Sequence, residues 1–121
     1  KANDQLLNQS PPTSAEVVIV GGGVVGSSIA YHLTKLGVPD VVLLERGKLT
    51  SGTTWHAAGL IMQLRSSHSL TELSRYNVQL YGRLEAETGQ ATGIKQNGTL
   101  GVARTKERMQ ETKRLATVAK N

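Results

Sequence analysis

The sequence predicts an α/β fold: a Rossmann-like βαβ unit with a small hairpin and flanking helices, amounting to less than a whole domain. Three observations carry this expectation. Two short runs, EVVIV at residues 16–20 and VVLLE at 41–45, are apolar and rich in β-branched side chains. Between them stands a glycine cluster, GGG at 21–23, followed by a stretch whose apolar residues recur at helical spacing. Finally, only 38% of the 121 residues are hydrophobic and none is Phe, a lean supply for an independent core.

Residues 1–15, KANDQLLNQSPPTSA, are polar, carry a Pro-Pro pair and read as a disordered lead-in. Residues 16–121 then read as the truncated N-terminal part of one domain, since the chain opens on Lys1 and stops within helical patterning. EVVIV, a continuous apolar run halted by glycine, fits a parallel strand buried on both faces. Val25, Ile29, Leu33 and Leu36 are spaced as one face of a helix, which Gly37 is placed to end. VVLLE repeats the strand pattern and completes the βαβ unit. Ser69 and Glu72 have capping-box spacing ahead of Leu70, Leu73, Tyr76, Leu80 and Leu84, in a helix expected to end at Thr88-Gly89. Asn97-Gly98, inside IKQNGTLGVA, signals the hairpin. Met109, Leu115 and Val118 mark a last helix from Lys106.

Composition removes several function classes. No cysteine is present, so disulfides, thiolate metal sites and cysteine nucleophiles are excluded. His32, His56 and His68 lack metal-ligand spacing, and no metal is expected. No apolar run approaches the roughly 20 residues that span a bilayer. The net charge of +5 gathers at Arg104, Lys106, Arg108, Lys113, Arg114 and Lys120. Glu107 and Glu111 interrupt that run and stacking aromatics are missing, so it reads as a solvated helix face and no nucleic acid is expected.

Gly21, Gly23 and Gly26 form a G-x-G-x-x-G pattern. With 13 glycines in the chain the pattern alone is weak. Its context strengthens it: a strand run precedes it, a helix follows, and Glu45 stands at the end of the next strand. Gly21 allows the tight turn, Gly23 a close approach to a pyrophosphate, and Gly26 close helix–strand packing. The helix N-terminus offers unpaired N–H groups to phosphate. Glu45 is placed to accept from an adenosine ribose, which favours FAD or NAD over NADP, although the adjacent Arg46 softens that preference.

The following stretch, RGKLTSGTTWHAAGL, is slim and rich in hydroxyls. It suits a chain lying along the pyrophosphate and flavin of an extended cofactor. Together, VVIVGGGVVGSSIAYHL, VVLLERGKLTSGTTWHAAGL, LYGRLEAETGQATG and QNGTLGVA resemble the N-terminal region of the dimethylglycine and sarcosine dehydrogenases, FAD-dependent amine oxidoreductases of the D-amino-acid-oxidase-like group. The glycine motif is common to many FAD enzymes, whereas TTWHAAGL is far more specific. In that family the histidine of this motif is bonded to the 8α-methyl carbon of FAD, and here that histidine is His56. A neutral histidine has the free lone pair such a bond requires. The resemblance extends the cofactor contacts to Val24, Val25, Glu45, Arg46, Gly52, Thr53, Thr54, Trp55, Ala57, Ala58, Gly59 and Leu60.

The activity so implied is oxidative demethylation of an N-methyl amino acid such as sarcosine or dimethylglycine. A hydride leaves the N-methyl carbon for the flavin, and the iminium is hydrolysed to formaldehyde or captured by tetrahydrofolate. Family members add a substrate-binding sheet and a folate-binding C-terminal region, and deliver electrons to an acceptor protein or oxygen. The 121 residues alone are therefore expected to be inactive; no substrate-carboxylate clamp is assigned, although Arg65 is an available cation. Eukaryotic members work in the mitochondrial matrix and bacterial ones in the cytoplasm. Three alternatives remain open: a non-enzymatic relative resembling the regulatory subunit of pyruvate dehydrogenase phosphatase, which lacks the linking histidine; a nicotinamide-dependent dehydrogenase, which leaves TTWHAAGL without a purpose; and a relative that oxidises a different secondary amine.

Overall fold

The computed structural model describes residues 10–119, and the chain divides into two compact units between Ala58 and Gly59. Most of the lead-in, residues 1–9, lies outside the described residues. Residues 10–15 form neither helix nor strand.

The first unit is the βαβ element. Strand β1 (Val17–Val20), helix α1 (Val24–Lys35) and strand β2 (Val41–Leu44) precede a single 3-10 turn, Thr53–His56. The strands are parallel, with Val17 opposite Val41 and Val20 opposite Leu44. Their ladder runs one residue further, since the Gly21 N–H donates to the Leu44 carbonyl at 2.8 Å. That bond holds the glycine turn at the carboxyl end of both strands, where open parallel sheets place their ligands.

Helix α1 packs on both strands from one side. Strand side chains alternate between faces. Ile19 points toward the helix and is 7% exposed, whereas Val18 and Val20 lie on the opposite face and Val20 is 84% exposed. Burial on both faces, which the apolar run suggested, is therefore not found. Among the described residues no element of this unit covers the second face.

The helix also turns a different side inward from the one its apolar spacing suggested. Gly26 is buried and Ala30 and Leu33 are half-buried, while Val25, Ile29 and Leu36 are exposed. The glycine turn is the cause. A Cβ added to Gly26 would sit 1.9 Å from the Gly21 carbonyl oxygen. Contact that close selects the row of small side chains, not the bulkiest one. The helix stops as expected: Leu36 caps it and Gly37 takes a φ of +87°.

The second unit contains α2 (His68–Thr88) and α3 (Lys106–Val118). Helix α2 is capped by Ser67, whose Oγ accepts the Leu70 N–H at 3.4 Å. The expected Ser69–Glu72 box does not form, because Ser69 is already helical and Glu72 pairs with Arg75. The helix ends at Gly89, with φ +70°, as the Thr88-Gly89 pair implied. Ser74 and Leu80 are its buried residues. Arg65, named above as an available cation, donates from Nε to Ser74 Oγ at 3.1 Å and so ties the preceding loop to the helix.

Thr105 caps α3, accepting the Arg108 N–H at 3.2 Å. Arg114 and Glu111 pair at 2.7 Å, so part of the basic stretch is spent on an exposed ion pair along the helix. The hairpin does not form. Residues 90–104 contain no strand, although Gly98 adopts φ +75° as a turn residue should. Leu100 and Val102 stand exposed. Two short arms with no third strand or helix against them are marginal in water, and the first arm carries a single apolar residue, Ile94. Among the described residues no helix is long and apolar enough to cross a membrane.

Candidate cofactor site

The site grows out of the turn between β1 and α1. Gly21 has φ +106°, a conformation open to glycine and strained for other residues. It turns the chain from the strand toward the helix. Gly22, absent from the expected set, is the turn's most connected residue. Its N–H donates to Glu45 Oε2 at 2.7 Å and its carbonyl accepts the Thr50 N–H at 2.9 Å. A Cβ there would fall 2.5 Å from Leu49 Cδ2 and 3.1 Å from Glu45 Cβ. The motif template treats this position as variable; the one sequence signal for it was the unbroken run of three glycines.

Glu45 has a second bond, accepting the Gly47 N–H on Oε1 at 2.9 Å. It therefore clasps the glycine turn to the loop after β2. These N–H groups, Gly22 first and Gly47 second, hold its carboxyl below the ordinary value of 4.5 against some desolvation, with a lesser contribution from Arg46. The group is an anion at neutral pH. A carboxylate has about four acceptor sites, so capacity remains for a ribose hydroxyl.

A pH effect follows. A carboxyl whose folded value lies below its unfolded one stabilises the fold above that unfolded value, and the benefit is lost as pH falls through the folded value. Glu45→Gln can accept at one atom only and sets an amide NH2 against the other N–H. The variant is expected to be less stable at pH 7. In acid titrations followed by circular dichroism, its gap from the wild type should close as the pH drops below 4.5. A gap constant from pH 7 to pH 3 would refute the clasp.

The start of α1 is dressed for an anion. Gly23 caps it without a side-chain bond, and the first turn contains no acidic residue. The Ser27 N–H makes the first bond of the ladder, to the Gly23 carbonyl at 2.9 Å. Of the earlier N–H groups, that of Val24 donates to Thr54 Oγ1 at 2.9 Å. A Cβ on Gly23 would come within 3.1 Å of the same hydroxyl. Thr54 thus brings the 3-10 turn, and His56 with it, against the helix start.

Around this contact the remaining expected residues are open. Val25, Arg46, Gly52, Thr53, Trp55, His56, Ala57 and Ala58 are exposed, Trp55 by 77%. Gly59 and Leu60, also expected at the cofactor, belong to the second unit. Thr50, just before the turn, is a β-branched residue at φ +64°. Strain of that kind gathers at ligand sites. The structure therefore joins Gly21, Gly22, Gly23, Val24, Gly26, Glu45 and Thr54 in one cluster. The glycine cradle and unacidic helix start suit a pyrophosphate, and the Glu45 anion suits a ribose.

A parallel βαβ unit with this turn and this acid is a dinucleotide-binding element. Its kind is specified by comparison: residues 16–121 match the FAD dependent oxidoreductase family, DAO, and the chain belongs to that family. It is 51% identical over 114 residues to the mitochondrial sarcosine dehydrogenase of Mus musculus, covering 93% of this chain and 12% of that protein. Against the mitochondrial dimethylglycine dehydrogenase of Rattus norvegicus identity is 49% over 111 residues, covering 87% and 13%. The mitochondrial regulatory subunit of pyruvate dehydrogenase phosphatase from Mus musculus is 43% identical over 104 residues, covering 86% and 12%. The chain thus spans about an eighth of the length of the curated relatives it matches.

Proposed function

We propose that this chain supplies the cofactor-binding portion of an FAD-dependent dehydrogenase that demethylates N-methyl amino acids of the sarcosine or dimethylglycine type, with the flavin bonded to His56. The observation that carries the reading is the pairing of an exposed His56 with a glycine turn suited to the pyrophosphate, the two linked through Thr54. FAD, when bound, supplies the two-electron acceptor for the amine. The chain's own residues bind and orient. The start of α1 faces the phosphates, Glu45 holds the glycine turn and accepts from the ribose, and His56 offers the nucleophilic nitrogen.

The imidazole nitrogen of His56 would hold the flavin at its 8α carbon, and the two hydrogens displaced by that bond would pass to dioxygen as hydrogen peroxide. Similarity to a dehydrogenase and to a phosphatase regulatory subunit leaves enzyme and non-enzyme both represented among relatives. The linking histidine favours the enzyme. We place the protein in the mitochondrial matrix, where relatives named mitochondrial support it, with tetrahydrofolate and an electron acceptor as partners.

The test is acid precipitation of the full-length protein with peptide mapping, alongside dye reduction driven by sarcosine and dimethylglycine. Flavin on the peptide containing His56, with amine-driven reduction, is the expected result. Flavin released by acid would remove the tether, and no flavin would transfer the case to the non-enzymatic or nicotinamide reading.

A further inference from the structure

We infer that Thr54 is the positioning residue for flavin attachment, fixing the 3-10 turn so that the His56 imidazole meets the 8α carbon. The inference rests on the covalent reading above and deepens it. Thr54 is the half-buried residue of its turn, while Thr53, Trp55 and His56 are exposed. Its hydroxyl accepts the Val24 N–H at 2.9 Å, across 30 residues of sequence. Among the described residues no other side chain of the turn has a hydrogen bond to the glycine turn or the helix start.

The backbone supplies the rest of the lever. The Trp55 N–H donates to the Gly52 carbonyl at 3.1 Å and the Ala57 N–H to the Thr54 carbonyl at 3.2 Å. The turn is therefore locally closed around His56, and one hydroxyl attaches it to the pyrophosphate cradle. Gly23 leaves room for this, since a Cβ there would come within 3.1 Å of the hydroxyl oxygen. Threonine also restricts its own χ1, so the bond is made with little rotamer freedom left to lose.

Attachment is sensitive to such placement. Reacting atoms must approach to about 3–3.5 Å, and a misplacement of about 1 Å can cost on the order of a hundredfold in rate. Losing the Thr54 bond frees the turn without removing the nucleophile. Thr54→Val keeps the shape and β-branching and deletes the acceptor; Thr54→Ser keeps the acceptor and loosens χ1.

The experiment uses full-length apoprotein, produced without riboflavin and given saturating FAD. Attachment is followed as acid-stable flavin fluorescence on the denatured chain, and non-covalent FAD affinity is measured separately with each change in a His56→Ala background. Thr54→Val is expected to attach flavin about ten- to a hundredfold more slowly than wild type at saturating FAD. Loss of non-covalent FAD binding by Thr54→Val in the His56→Ala background would assign Thr54 to binding and overturn the positioning role. Thr54→Ser should stay within about threefold of wild type. Wild-type rates in Thr54→Val at saturating FAD would overturn the positioning role, as would a Thr54→Ser variant as slow as Thr54→Val. If the wild type itself attached no flavin, the covalent reading would fall and this inference with it.

Discussion

Gly26→Ala is expected to yield protein that neither holds FAD nor melts as a folded first unit. The added methyl would lie 1.9 Å from the Gly21 carbonyl oxygen and 3.1 Å from its carbon. Backbone cannot swing aside as a long side chain can. Gly21 in turn is fixed by its bond to the Leu44 carbonyl and by a φ of +106°. Either α1 lifts away from the strands or the glycine turn opens, and both dismantle the cradle. Overpacking costs about 1–3 kcal/mol and occasionally more; here the upper end or beyond is expected. The contrast within the chain makes the test sharp. Gly23→Ala meets only a threonine hydroxyl at 3.1 Å and should be milder. Gly82→Ala, inside α2 with nothing within 4 Å, should stabilise by about 0.5–1 kcal/mol through helix propensity. Thermal melts and FAD content of the three purified full-length variants check the order. A Gly26→Ala protein that binds FAD normally would mean that the helix does not approach Gly21 this closely.

Much of this geometry was legible because glycine and β-branched residues act locally. Strand limits at Val17–Val20 and Val41–Leu44, and helix ends at Gly37 and Gly89, follow from neighbours within a few residues. What failed depended on partners far away in sequence. The inward face of α1 was misread because apolar spacing rewards bulk, while contact with Gly21 requires Gly26. The hairpin was misread because Asn97-Gly98 specifies a turn but cannot supply a surface for Leu100 and Val102 to cover. At the site, type and spacing single out the glycines and Glu45, which the structure brings together. Gly22 was missed because its importance lies in Glu45, Leu49 and Thr50, more than 20 residues on. Thr54 was expected to touch the cofactor, yet its bond to Val24 could not be read from either residue alone.

His56→Ala should reduce acid-stable flavin from full occupancy to none while leaving the fold as it was. The two halves of that expectation have different causes. Alanine has no lone pair, so no N–C bond can form at this position. The fold is spared because His56 is exposed and its turn is closed by backbone groups, the Ala57 N–H to the Thr54 carbonyl and the Trp55 N–H to the Gly52 carbonyl. Exposed substitutions of this kind usually change stability by about 0.5 kcal/mol or less. The glycine turn, Glu45 and Thr54 remain, so FAD should still bind and should be released intact by acid. Measuring flavin in the acid pellet and supernatant of both proteins, with thermal melts of their apo forms, separates the two halves. Acid-stable flavin persisting in His56→Ala would move the attachment to another residue. A collapse of the apo melt would instead give His56 a structural duty that its exposure denies.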